Sequence, residues 1–194
     1  MGPGPETMSG GRTKPVTMAR LFTRLRSLRR DRRGATIIEF AIVAAPFIAL
    51  ILATLQTSLV FFAQQTLETT SEDVSRQLMT GAVQKAGMSK SDFNKIACNH
   101  LPVFMSCANL MVDVQTVDSF DDIDTTTPPI YNPDHTLKTN WQFNPGGAGD
   151  IVVMRTMYLF PVVTGPLGFD LSNAQGGRRL LVATAVFQTE PYPS

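Results

Sequence analysis

Histidine and cysteine are scarce in this chain of 194 residues, which has two of each. His100 and His135 are separated by polar sequence, and neither is accompanied by a Ser or Cys nucleophile pattern, so no catalytic triad is legible. His100 lies between Cys98 and Cys107, but that set matches no standard zinc spacing, and no metal is expected. Asp118, Asp121, Asp122 and Asp124 lack the Gly and terminal Glu of an EF-hand loop and read as a solvated acidic stretch. Gly146-Gly147-Ala148-Gly149 precedes a strand-like segment with no Lys-Ser or Lys-Thr after it, which excludes a phosphate loop and leaves a turn. The chain is therefore expected to be no enzyme and to hold no cofactor. Charge is also low, at 17% against about a quarter in average soluble domains. With 43% hydrophobic residues, disorder throughout is excluded.

The formal net charge of +1 hides an uneven distribution. Residues 1–34 carry nine basic side chains against Glu6 and Asp31, a net of +7, and residues 35–194 carry eight against fourteen, a net of −6. The basic block runs through Arg20, Arg24, Arg26, Arg29, Arg30, Arg32 and Arg33. Behind it, Phe40 to Ala53 is fourteen residues without a polar side chain, and extension to Ala63 gives 24 residues with Thr54, Gln56, Thr57 and Ser58 as the polar members. As a helix this run rises about 36 Å, enough to cross a bilayer, and its hydroxyls can bond back to the helix carbonyls. Membrane helices also tolerate the break at Pro46. A buried core helix of a soluble domain fits the length and the adjoining Arg cluster less well. The positive-inside rule places the basic block in the cytoplasm and exports the acidic remainder. The run is longer than a typical signal-peptide core, and no small-x-small cleavage signal follows it. Three parts are expected: a basic leader over 1–34 (with 1–17 a disordered or misannotated extension), a transmembrane helix over 35–63, and an exported domain over 64–194. Nucleic acid is not an expected partner; the lipid bilayer is.

A carboxylate stands at the edge of the apolar run, in Arg32-Arg33-Gly34-Ala35-Thr36-Ile37-Ile38-Glu39-Phe40. Charges at membrane depth are costly and are paired or functional, unless they merely snorkel to the interface. A basic cluster, a Gly, four residues, Glu-Phe and a long apolar helix resemble the processing site of class III prepilins, the Flp/Tad pilus type. The resemblance implies that a membrane prepilin peptidase cuts after Gly34, leaving Ala35 as the new N-terminus and Glu39 as its fifth residue. The new ammonium would lie about 6 Å from Glu39 along the helix axis. The resemblance further implies that Glu39 of one subunit pairs with the free amine of a neighbour, each charge offsetting the cost of burying the other. Glu39 and Phe40 would then serve assembly and not chemistry.

Beyond the run, Leu67, Val74, Leu78 and Ala82 mark one apolar helical stripe that stops near Gly87. Ser89 and Asp92 have the spacing of a capping box opening a short helix with Phe93, Ile96 and Leu101 near one face, ended by Pro102. In an exported chain, Cys98 and Cys107 read as a disulfide, whose short loop would contribute roughly 2–3 kcal/mol. Strands are predicted over 110–117, 151–160 and 180–189, the second central because it is apolar on both faces apart from Arg155. The polar stretch 118–150 reads as a mobile surface loop, with Tyr131, Trp141 and Phe143 anchoring it to the core.

The exported part resembles a TadE-like protein, a minor pseudopilin of the Tad system, in four stretches: the Gly34-to-Phe40 junction, the two cysteines ahead of the first strand, Gly149 to Arg155, and Thr184 to Tyr192. That resemblance implies an α+β, pilin-like fold, in which a long N-terminal transmembrane helix continues as an amphipathic stalk packed on a small mixed or antiparallel sheet. It implies a bacterial inner-membrane protein with its C-terminus in the periplasm, needed for pilus assembly and possessing no activity of its own. Its partners would be other Tad pilins and pseudopilins, the prepilin peptidase and the inner-membrane Tad assembly platform. The competing reading is an uncleaved signal-anchor protein whose exported domain binds a partner or glycan.

Overall fold

The fold, taken from a computed structural model, is described for Gly2, residues 34–124 and residues 126–191. The Arg cluster, the extension over 1–17 and Tyr192 lie outside the described residues. The chain divides into two units that part between Ile48 and Ala49.

Helix α1 spans Ala35–Met79 with Pro46 inside it. Its apolar portion is largely exposed: Ile42, Val43, Phe47, Leu50, Leu55 and Leu59 all show most of their surface, while Ala49 and Val60 are buried. An apolar window of 18 residues along the helix is only 6% buried, the opposite of a core helix in a soluble domain, and α1 is long and apolar enough to cross a membrane. The hydroxyls behave as membrane helices require. Thr54 donates to Leu50 O at 2.9 Å, Thr57 to Ala53 O at 2.8 Å and Ser58 to Thr54 O at 2.8 Å.

Further along α1 one stripe turns inward. Val60, Ala63, Leu67, Val74 and Leu78 are buried with Thr70 and Ser71, at the three- and four-residue intervals of one helix face. That face packs on a three-stranded sheet of β1 (Leu110–Val117), β2 (Ile151–Pro161) and β3 (Arg178–Gln188), ordered β1-β2-β3 and antiparallel throughout. The architecture is α+β, and the sheet is antiparallel, not mixed. β2 is central, as its apolar character on both faces requires. Its even-numbered residues Val152, Met154 and Tyr158 meet α1, while Met157 and Leu159 meet Met111 and Ile130 on the opposite face.

Two further helices close one end of the core, α2 (Ala82–Lys85) and α3 (Lys90–Asn99). Here the predicted stripe needs correction. Gly81 adopts a left-handed conformation with φ 71°, which breaks the helix after Met79 and shifts its phase, so Ala82 faces solvent and Val83 is buried in its stead. Carbonyls freed at the end of α1 are taken up locally: Glu190 N–H donates to Met79 O at 2.8 Å, and Gln84 Nε2 to Leu78 O at 3.1 Å. Ser89 caps α3 by accepting from Asp92 N–H, as the capping-box spacing requires, but α3 stops at Asn99, three residues ahead of Pro102. β3 begins two residues earlier than predicted, at Arg178, directly after the Gly176-Gly177 turn, where both glycines have positive φ.

The stretch read as a mobile loop is tied down at several points. Gln142 and Asn144 bracket a parallel rung beside β1, through Val114 N–H to Gln142 O at 3.0 Å and Asn144 N–H to Val114 O at 2.9 Å. Phe143 packs on Phe93 in a tilted pair with ring centroids 5.2 Å apart, and Tyr131 and Trp141 cover the outer face of the sheet. The three aromatics thus anchor the stretch, Tyr131 and Trp141 against Met111, Met157 and Leu159, and Phe143 against the cluster that holds Phe93 and Val114.

Candidate functional site

Two regions carry the residues singled out from the sequence. The first is the start of α1. Gly34 immediately precedes the helix, whose first residue is Ala35, and Glu39 follows about one turn later. The first turn of α1 holds no acidic residue, so Glu39 is the first carboxylate along the helix. It is exposed, and no ion pair joins it to a described residue. Around it Ile37, Ile38, Phe40, Ile42 and Val43 are between 62% and 73% exposed. Glu39 is thus a carboxylate set amid an unburied apolar collar, where a charge is costly unless it is paired or reaches the interface.

The second region is the sheet unit. Cys98 and Cys107 form a disulfide with Cα atoms 5.4 Å apart, pinning the end of α3 to the turn that enters β1. That turn is also held by Tyr158, whose hydroxyl accepts from Ser106 N–H at 2.8 Å. The histidines do not meet: His100 Nδ1 lies 2.9 Å from Ile96 O within its own helix end, and His135 lies in a turn with φ 64° beside Gln175. Among the described residues no three His, Cys, Asp or Glu side chains converge as a metal would need. The acidic stretch makes local turn contacts: Ser119 Oγ accepts from Asp121 N–H, and Asp124 Oδ1 accepts from Thr126 N–H. Thr126 holds the Asp124 carboxyl below the usual carboxylate range. Gly146 and Gly149 both have positive φ, and Gly147 N–H donates to Asp150 Oδ2 at 2.7 Å, which makes this segment a turn.

A buried ion pair is the feature that reading the sequence missed. Asp113 and Arg155 stand opposite each other in the β1–β2 register, with Arg155 Nη1 3.7 Å from Asp113 Oδ2 and both side chains over nine-tenths buried. Their remaining valences hold the covering stretch at two places. Asp113 Oδ1 accepts from Gln142 N–H at 2.8 Å, and Arg155 Nη2 donates to Asp124 O. The signal was present, since Arg155 was the lone charge in an apolar strand and Asp113 alternates with valines in the other.

Residues 34–76 match the sequence model of the TadE-like protein family. The chain carries a TadE-like segment. It begins at Gly34, takes in Glu39 and Phe40, and ends at Arg76 within α1, so the sheet stands outside the matched residues. No curated protein and no solved structure matches the chain. The TadE-like segment thus takes in the exposed apolar collar and the stripe that carries the sheet as far as Val74.

Proposed function

We propose that this chain is a minor pseudopilin that takes part in assembly of a Tad/Flp-type pilus. The observation that carries the reading is the coincidence of the TadE-like match with a largely exposed apolar helix, headed by Gly34 and a carboxylate that has no ion-pair partner among the described residues. In this reading a prepilin peptidase cuts after Gly34, and Glu39 then pairs with the free N-terminal ammonium of an adjoining pilin as the helices pack. The chain sits in the bacterial inner membrane through α1, with its basic leader cytoplasmic and its sheet domain periplasmic, as the charge asymmetry supports. It catalyses nothing itself; the sheet domain is a folded body displayed on an assembly helix. Other Tad pilins, the peptidase and the membrane assembly platform are its partners.

Glu39→Gln tests the assembly role, because it removes the charge and keeps the shape. The variant is expected to be cleaved and inserted like the parent chain, yet to co-purify with the other Tad pilins at a clearly reduced yield. Parent-level co-purification of Glu39→Gln would refute the pairing.

A further inference from the structure

The sheet domain touches α1 well inside the apolar run. Gln56 Nε2 donates to Val163 O at 2.8 Å, and Phe62 stacks on Phe104 with ring centroids 5.5 Å apart. On another flank of the helix, Thr57, Val60, Phe61 and Gln64 line a slot of about 290 Å³ together with Leu171 and Arg179. At 100° per residue, Gln56, Phe61 and Phe62 point in different directions, so the domain's loops partly encircle α1 at this level.

The tips of those loops are apolar and bare. Val103 and Phe104 in one loop are 107% and 51% exposed, and Val163 and Leu167 in the other are 75% and 87% exposed. Single exposed apolar residues are ordinary, but these four stand at one end of the domain, beside an apolar helix surface that is itself uncovered. A hydrocarbon core of about 30 Å takes about 20 helical residues, and twenty counted back from Gln56 begin at Ile37. The loops that touch residues 56–62 therefore fall at the height of the lipid headgroups. Arg179 is placed to suit that layer. It lies in the slot beside α1 and commits one N–H to Leu171 O at 3.0 Å, leaving further guanidinium donors for a phosphate.

We infer that this rim, formed by residues 102–104 and 162–167, is seated in the headgroup layer of the bilayer, with Arg179 binding the phosphate of an anionic phospholipid. The inference rests on α1 crossing the membrane. The occupant is lipid because the rim continues the apolar surface of the helix and adds a cation at the boundary between tails and headgroups.

The chain has a single tryptophan, Trp141, whose Nε1 has no hydrogen-bond partner among the described residues, so Trp141→Phe gives a silent background. In that background Val103→Trp, Leu167→Trp, Leu50→Trp and Phe120→Trp are made in the full chain, each alone. They are reconstituted into phosphatidylethanolamine and phosphatidylglycerol vesicles with or without bromine high on the acyl chains. Quenching is expected for Val103→Trp, Leu167→Trp and Leu50→Trp, and not for Phe120→Trp, which lies past the opposite end of β1. Adding Arg179→Gln should weaken the quenching of Leu167→Trp; unchanged quenching would remove the role given to Arg179. If Leu50→Trp is quenched while the two rim positions behave like Phe120→Trp, the seated rim is refuted and the membrane helix stands. If Leu50→Trp also escapes quenching, both fall.

Discussion

At the scale of single residues, Asp113 and Arg155 form the contact whose loss should cost most. Both side chains are over nine-tenths buried, and each also holds part of the stretch that covers the outer face of the sheet. Removing one partner leaves the other buried and unpaired, a change that costs about 3–5 kcal/mol in comparable pairs. Asp113→Ala is therefore expected to lower the unfolding free energy in detergent by that order, and Asp113→Ala with Arg155→Met by less, as read from urea titrations followed by circular dichroism. Asp92 offers a milder test outside the membrane. The Ser89 hydroxyl, then Lys95, hold its carboxyl below the ordinary value, so the folded chain binds this proton less readily than the unfolded one. The contribution of Asp92 is full at neutral pH and is lost as pH falls through the depressed pKa. Carboxyl shifts followed by NMR should give a midpoint below the ordinary value near 3.9, and Ser89→Ala should move it upward. The capping box was legible from its spacing. The pairing of Asp113 with Arg155 was not, because it depends on strand register, which local sequence does not give.

At the scale of the element, α1 is two surfaces in one helix. Toward its C-terminal end it buries a stripe against the sheet, while most of its apolar run is exposed. Leu67 and Leu59 separate these roles, since Leu67 is fully buried and Leu59 is 59% exposed. Leu67→Ala should destabilise the sheet domain by about 2–5 kcal/mol, and Leu59→Ala should leave its unfolding midpoint in detergent nearly unchanged. Equal effects of the two would contradict the division. Most of this helix was legible, because length, hydropathy and the spacing of Leu67, Val74 and Leu78 all report the same periodicity. What the periodicity could not show is the phase shift at Gly81, a backbone event that exchanges Ala82 for Val83. The stretch over 118–150 was misjudged in a similar way. Its polar composition suggested freedom, but a few aromatics and backbone bonds to Val114 are enough to hold it.

At the scale of the whole molecule, the +1 net charge belongs to a chain of two opposite blocks that meet at Gly34, where the TadE-like match begins. Removal of the basic block would leave an acidic chain on an apolar helix with a free amine one turn from Glu39. The sheet and its disulfide would be untouched by the cut, since both lie beyond it in the chain. Intact-mass and N-terminal sequencing of the protein extracted from membranes of a host with the prepilin peptidase decides the matter. Processing at Gly34 predicts a chain that begins at Ala35; a population beginning only at Met1 or Met18 would contradict it and leave an uncleaved signal-anchor protein.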